Sequence, residues 1–214
     1  TGSAIVSVIS LPTATISGST TICSGGTATV TFTGTPNAVV TYTVDSGANQ
    51  TVTLDATGNA TVTTSALTSD SVYTLVNVAL TGTASCSQAQ TGSATITIAP
   101  LPTAAISGST SVCPNSTAVI SFTGTPNATI TYTVDSGANQ TITLDASGNA
   151  TVTTPTLNTN STYTLVSVTA SGTLACSQNQ TGSATVTVVP LPTAAIAGTT
   201  TICSGSTTTI TFTG

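Results

Sequence analysis

The sequence predicts an all-β fold built from tandem β-sandwich modules, and three observations carry this prediction. The segment Leu11-Pro12-Thr13-Ala14 recurs at 101–104 and at 191–194, so the spacing is ninety residues both times. Apolar residues alternate with Thr at a period of two, which is typical of strands that bury one face. The composition is rich in Thr, Val and Ile, which favour strands, and no stretch shows a helical period.

The repeat defines the domain organisation. Residues 11–100 and 101–190 align without a gap and are identical at about two thirds of positions. The sequence therefore predicts two complete copies at 11–100 and 101–190, the last strand of a preceding copy at 1–10 and the start of a following copy at 191–214. In such arrays each copy mostly contacts its neighbours.

Within the first copy, the alternation predicts seven short strands, at 13–17, 28–33, 40–44, 50–54, 60–64, 72–78 and 93–98. The turns at 45–49 and 55–59 carry Asp, Asn and Gly, which supply the positive φ and the side-chain caps of tight hairpins. Seven strands in about ninety residues is the count of an immunoglobulin-like sandwich. Two antiparallel sheets would then bury Val, Ile and Leu and expose Thr.

The joints between copies are short. Residues 98–102 and 188–192 contain two prolines each and no Gly. Proline fixes φ and favours extended backbone in the residue before it. We therefore expect semi-rigid joints and a rod in which each copy adds ~35–45 Å, at ~3.3 Å per strand residue.

The five cysteines follow the repeat: Cys23, Cys86, Cys113, Cys176 and Cys203. Two per copy, in register, predict one disulfide within each copy, Cys23–Cys86 and Cys113–Cys176, with the partner of Cys203 beyond residue 214. Each would add about 4 kcal/mol in the chain-entropy model and implies an oxidising, extracellular location. Zinc is the competing interpretation, but the chain has no His and no CxxC pair to complete such a site.

The composition excludes most chemistry. The chain has no Lys, Arg, His or Glu, and its net charge of −5 comes from five Asp residues. General acid–base catalysis and activated nucleophiles need groups that are missing here. No cation is available to bind nucleic acid or anionic lipid, and no apolar stretch approaches the ~18–20 residues of a membrane span. We therefore expect no enzyme, catalytic residue, cofactor, nucleic-acid partner or membrane insertion.

Three residue sets remain as candidate sites. Asp45 and Asp55, repeated at Asp135 and Asp145, end strands at turns, where a calcium site and plain turn capping are the alternatives. The four tyrosines (Tyr42, Tyr73, Tyr132, Tyr163) share strand faces with aliphatic residues, which favours the core over sugar stacking. Asp70-Ser71-Val72 resembles the Asp-Ser/Thr-aliphatic O-glycosylation acceptor of Bacteroidota, but the second copy has Asn160-Ser161-Thr162 there.

The repeat also resembles a known family. The segments LPTAxISGxTxxCxG, TFTGTPN, TYTVDSGANQTVTLD, GNATVTT, YTLVxV and CSQxQTGSATVTV are similar to the PKD-like, immunoglobulin-like repeats of very large secreted proteins of Flavobacteria and other Bacteroidota. The resemblance covers the whole chain. It implies export by the type IX secretion system, a cell-surface location, and an adhesive or filamentous role of the gliding-motility-associated kind.

Three functional hypotheses follow. In the first, the chain is the non-enzymatic stalk of a long surface adhesin. Its partners would be neighbouring repeats and, through a tip elsewhere in the protein, surface polysaccharide or the substratum. In the second, identical chains associate laterally into a sheath, S-layer or multi-chain fibre. Low charge leaves little repulsion between neighbouring chains, and exposed edge strands could pair laterally. In the third, the copies are spacer or carbohydrate-binding modules of a secreted hydrolase.

Overall fold

The computed structural model of the chain describes residues 2–82 and 85–214. Thr1, in the segment predicted to end a preceding copy, and Thr83 and Ala84, in the first complete copy, lie outside the described residues. The described chain forms two compact units. Unit 1 covers the described residues up to Leu101 together with Gly172–Cys176, and unit 2 covers Pro102–Ser171 and Ser177–Gly214.

The described part of the first copy forms nine strands. They are β1 (Ala14–Ser17), β2 (Thr20–Cys23), β3 (Thr29–Gly34), β4 (Val39–Val44), β5 (Gln50–Thr53), β6 (Asn59–Thr63), β7 (Ser71–Ala79), β8 (Ser87–Ala89) and β9 (Ser93–Ala99). The strands β1, β3 and β6 form one sheet. The other sheet has the order β2-β9-β7-β4-β5, and β8 pairs with the end of β7.

The second copy repeats this arrangement with nine strands. They are β10 (Ala104–Ser107), β11 (Thr110–Val112), β12 (Val119–Gly124), β13 (Thr129–Val134), β14 (Gln140–Thr143), β15 (Asn149–Thr153), β16 (Ser161–Thr169), β17 (Ser177–Asn179) and β18 (Ser183–Val188). The sheets are β10-β12-β15 and β11-β18-β16-β13-β14, with β17 on β16. All seven strands predicted for the first copy are thus present, and the second copy has a counterpart of each.

Two strands of each copy were not predicted, β2 and β8 in the first copy, and β2 arises because the chain crosses between the sheets directly after β1. β1 pairs antiparallel with β3, whereas β2 pairs parallel with β9 in the other sheet. Gly18 lies between them at φ 113°, and a Cβ there would lie 2.6 Å from the carbonyl oxygen of Thr29. Only glycine fits this crossing. Period-two reasoning misses β2 because none of its four residues is fully buried and the exposed and half-buried residues do not alternate.

The register repeats across three copies. Ile16 faces Phe32, Ile106 faces Phe122, and Ile196 faces Phe212 in a hairpin of β19 (Ala195–Ala197) and β20 (Thr211–Thr213). The hairpin of β19 and β20 thus has the same register as the β1–β3 and β10–β12 pairs. Residues 2–10, predicted as a strand, form none: a strand needs hydrogen-bonding partners, and no described strand pairs with them.

Each complete copy has its own core between the two sheets. In the first copy the largest fully buried side chains are Phe32, Leu54 and Ile96, and in the second copy Phe122, Ile120 and Leu144 occupy the core. Alternation carries these residues inward along each strand while Thr faces solvent. The described residues contain no helix that is long and apolar enough to cross a membrane.

The core position of Phe122 gives a first prediction. Phe122 is 0% exposed, whereas Val119 on the same strand is 53% exposed. We expect Phe122→Ala to lower the free energy of unfolding by about 3–5 kcal/mol, since it removes buried apolar area and leaves a cavity. Val119→Ala, the control, should change it by less than about 0.5 kcal/mol. Urea unfolding followed by circular dichroism measures both; equal effects would contradict the assigned register.

Candidate functional site

The single disulfide among the described residues joins the two complete copies. Cys23 is bonded to Cys176, with a Cα–Cα distance of 5.6 Å and a sequence separation of 153. Both cysteines belong to unit 1, because residues 172–176 group with it. The predicted pairs Cys23–Cys86 and Cys113–Cys176 are therefore wrong, and Cys86, Cys113 and Cys203 are thiols.

The strand register explains why Cys23 does not reach Cys86. Cys23 faces Ala99, three residues beyond Ile96, which faces Ser71 at the start of β7. The carbonyl of Cys86 accepts from the amide of Leu80, just after β7 ends. The two cysteines thus lie about twelve strand residues apart, ~35–40 Å at ~3.3 Å per residue. A disulfide requires Cα atoms within about 7 Å.

The same register separates the cysteines of the second copy. Cys113 follows Val112, which faces Val188 near the end of β18. Cys176 precedes Ser177, which faces Thr169 at the end of β16. Since β16 and β18 are antiparallel, these two positions lie at opposite ends of the sheet. Spacing along the sequence could not reveal this, because it carries no information about which strand ends meet.

Chain direction explains why Cys23 pairs with Cys176. The chain leaves the first copy after Ala99, which is the end that carries Cys23. It enters the second copy at Pro102, whose carbonyl oxygen accepts a 2.9 Å hydrogen bond from Nε2 of Gln178, two residues after Cys176. Cys23 therefore lies at the end where the chain leaves its copy, and Cys176 lies close in sequence to a residue that bonds the entry of its own copy.

Asp45 fixes one end of the sandwich. Asp45 and Ser46 have φ values of 52° and 59°, and the amide of Gly47 donates to the carbonyl of Val44, which defines a type I′ turn. The Asp45 carboxylate accepts from the amide of Val72 at 2.7 Å and from the Ser71 hydroxyl at 3.0 Å. Ser71 is thus buried and engaged, which removes it as an exposed glycosylation acceptor.

The equivalent positions of the second copy repeat this geometry. Asp135 accepts from the amide of Thr162 at 2.7 Å and from the Ser161 hydroxyl at 3.0 Å. The interpretation of these Asp residues as turn caps holds, and the cap also ties the turn to the neighbouring strand. Among the described residues no three Cys or Asp side chains come together as a metal-ligand set.

Asp55 caps the next hairpin. Its Oδ1 accepts from the amide of Thr57 at 2.8 Å, from the Thr57 hydroxyl at 2.7 Å and from the amide of Asn59 at 2.9 Å. These hydrogen bonds, led by that of the Thr57 side chain, lower the pKa of Asp55 below its ordinary value. Asp145 accepts from the amides of Ser147 and Asn149 in the same way.

At the position of Asp70 a charged side chain is not required. Its Oδ1 accepts from the amide of Ile98 at 2.7 Å, and in the second copy the neutral Asn160 accepts from Val188 at 2.8 Å. Asp70 also lines an open cavity of about 320 Å³ with Ser24, Ile98 and Leu101 among others. An amide oxygen performs the same task, so the carboxylate of Asp70 acts as a hydrogen-bond acceptor.

The tyrosines are confirmed as core residues. Tyr42 is 4% exposed and Tyr73 is 6% exposed, and their ring centroids lie 6.1 Å apart. The hydroxyl of Tyr42 donates to Oε1 of Gln50 at 3.1 Å. Burial raises the pKa of both hydroxyls. Tyr132 and Tyr163 repeat the pair at 6.2 Å, so none of the four rings is presented to a sugar.

The disulfide pairing gives a second prediction. A protease that cleaves before Asp produces fragments 1–44, 70–134 and 145–214, which carry all five cysteines. After alkylation without reduction, we expect 1–44 to remain joined to 145–214, while 70–134 is released with Cys86 and Cys113 alkylated. Mass spectrometry identifies the cross-linked fragments and the alkylated cysteines. A product that joins all three fragments would instead support pairing within each copy.

A third prediction concerns Asp55. Thr57→Val removes the donor that contributes most to the lowered pKa of Asp55, so this pKa should rise toward its ordinary value. A lowered folded-state pKa gives stability that is present above the unfolded pKa and is lost as pH falls through the folded one. Thr57→Val should therefore flatten the acid limb of the stability curve. Carboxyl NMR titration measures the pKa, with the exposed Thr53→Val as control; an unchanged Asp55 midpoint would contradict the assignment.

Comparisons with known proteins address the fold. No family model matches this chain, and no curated relative is found. Among solved structures, a marsupial T cell receptor is similar at 12% identity and a TM-score of 0.50, covering 87% of this chain and 77% of the receptor chain. The I9–I11 tandem of titin is 14% identical at a TM-score of 0.43, covering 87% and 68%. The likeness to the receptor shows that the chain has the immunoglobulin-like β-sandwich fold.

Proposed function

We propose that this chain is a non-enzymatic stalk region of a long extracellular bacterial surface adhesin. The observation that carries this proposal is the covalent bond between consecutive copies of one fold, Cys23–Cys176. A bond that spans a joint between copies resists separation of those copies under tension. A disulfide between copies is thus best suited to a protein that is held under tension.

The polar groups of the chain support a structural role. The described side-chain oxygens of Asp45, Asp55 and Asp70 accept hydrogen bonds from nearby backbone amides. No buried side-chain polar atom of the described residues lacks a hydrogen-bond partner. Side chains that serve catalysis or ligand binding commonly keep an unused donor or acceptor for the substrate. Here these polar groups form hydrogen bonds that stabilise the fold.

Location and partners follow from the same chemistry. A disulfide persists in oxidising compartments, which supports an extracellular site of action. The resemblance to PKD-like repeats of gliding-associated, type IX-secreted Bacteroidota proteins fits this location. The stalk would contact neighbouring copies along its length, and contact with polysaccharide or the substratum would belong to a tip elsewhere in the protein.

A lateral assembly is the second candidate, and the sheet edges favour it. The edge strands of the first copy are β1 and β6 in one sheet and β2 and β5 in the other. None of them contains a charged residue or a proline. Proteins usually protect such edges with charge or proline. Identical chains could therefore pair along these edges into a sheath or a multi-chain fibre.

The fourth prediction separates the two candidates. Cells that produce the protein are labelled with an antibody raised against residues 1–214 and viewed by electron microscopy. The stalk proposal predicts labelled thin fibres that extend away from the envelope. Pre-immune serum used in place of the antibody is the control and should label nothing. Continuous labelling of a lattice around the cell would overturn the stalk in favour of lateral assembly. Labelling confined to the cytoplasm would overturn both.

A further inference from the structure

We infer that every cysteine of this repeat is a site of covalent cross-linking between consecutive copies. In this arrangement the first cysteine of each copy bonds to the second cysteine of the next copy. Cys113 and Cys203 would bond forward, and Cys86 would bond backward to the first cysteine of a preceding copy. The inference concerns the pairing rule of the array and holds whether the array is a stalk or a sheath.

The thiols occupy positions equivalent to those of the bonded pair. Cys113 and Cys203 lie ninety and one hundred and eighty residues after Cys23, and Cys86 lies ninety before Cys176. The local backbone is also the same. The carbonyls of Cys23, Cys113 and Cys203 accept from Gly26, Ser116 and Ser206, three residues further on.

The strand register prevents these thiols from forming a disulfide within their own copy. Cys113 and Cys176 lie at opposite ends of their sheet, as Cys23 and Cys86 do. Cys113 is exposed and Cys86 is half-buried, so both can be reached by a thiol of another copy. The joint at residues 188–192 repeats the two prolines of the joint at 98–102. The end that carries Cys113 is thus followed by the same connection that follows Cys23.

The bond-forming step is an oxidation with a defined acceptor. Two S–H bonds break and one S–S bond forms, with the loss of two protons and two electrons. A disulfide-bearing thiol oxidoreductase of the extracytoplasmic space accepts these electrons through a mixed disulfide and becomes a dithiol. The exposed thiol of Cys113 is suited to the initial attack because the reaction requires access to the sulfur.

This pairing rule limits how far the array can be stretched. A pulling force that reaches Cys23 passes through the disulfide to Cys176. It then follows the backbone for 27 residues to Cys203, where it passes through the next disulfide. Two copies would then extend to only ~100 Å when the backbone that carries the force is fully extended, at ~3.4 Å per residue. Without the bonds, the same two copies would extend to ~600 Å.

The test uses the full chain with residues 101–190 duplicated in tandem before residue 191. Cleavage before Asp then gives four cysteine-bearing fragments. These are 1–44, 70–134, a fragment that runs from 145 into the duplicate as far as its equivalent of 134, and the final fragment. The inference expects two separate cross-linked products: the first fragment joined to the third and the second joined to the fourth.

Other results would overturn the inference. Pairing within each copy would join all four fragments into one product, and a bond restricted to Cys23 would leave the second and fourth fragments unlinked. Cys113→Ser should release the second and fourth fragments while the first stays joined to the third. The matched Cys86→Ser should change no cross-link. Because mapping is done on purified protein, its outcome is independent of the cell-labelling result.

Single-molecule stretching of the unmodified chain gives a second readout, the fifth prediction. The bond between Cys23 and Cys176 encloses a loop of 153 residues. Reduction should therefore add ~500–550 Å to the contour length, and Cys176→Ser should show this length without reductant. Cys86→Ser should behave like the unmodified chain. A contour length that does not change on reduction would contradict a load path through the disulfide.

Discussion

The strand register of each copy is the constraint on which the cysteine chemistry depends. β2 runs parallel to β9 and ends beside Ala99, the last residue of β9, so Cys23 lies at the end where the chain leaves the copy. Cys86 directly precedes β8, which pairs with the far end of β7, so the second cysteine lies at the opposite end of the sheet. The sheet thus holds the two thiols apart. A pair that cannot close within a copy remains available to its neighbours on either side.

The crossing at Gly18 makes this arrangement possible. A continuous first strand would stay paired with β3 and would leave Cys23 in the smaller sheet. The positive φ of Gly18 allows the backbone to leave β3 and join β9 instead. Gly108 makes the same crossing in the second copy, at φ 114°. A single glycine therefore links local backbone geometry to the covalent connection between copies.

Sequence reasoning predicted much of the fold and little of the site's connectivity. Alternation located the seven main strands because their buried residues, such as Val30, Phe32 and Val40, obey a period of two. It missed β2 and β8, which are short and bury little, and these two strands carry or adjoin the cysteines. The turn roles of Asp45 and Asp55 were predictable from residue type, whereas the partner of Asp45, Val72, depends on a sheet pairing 27 residues away.

The chain also shows how a fold can be held without ion pairs. There is no cation to pair with the five carboxylates, and in one position the repeat replaces Asp70 with Asn160 without changing the hydrogen bond. Each copy has a small core in which three aromatic side chains are buried among aliphatic ones. In the chain-entropy model, the loop closed by Cys23 and Cys176 contributes about 5 kcal/mol, which is comparable to the whole net stability of a small domain. Bonds between copies would therefore spread stability along an array whose individual cores are modest.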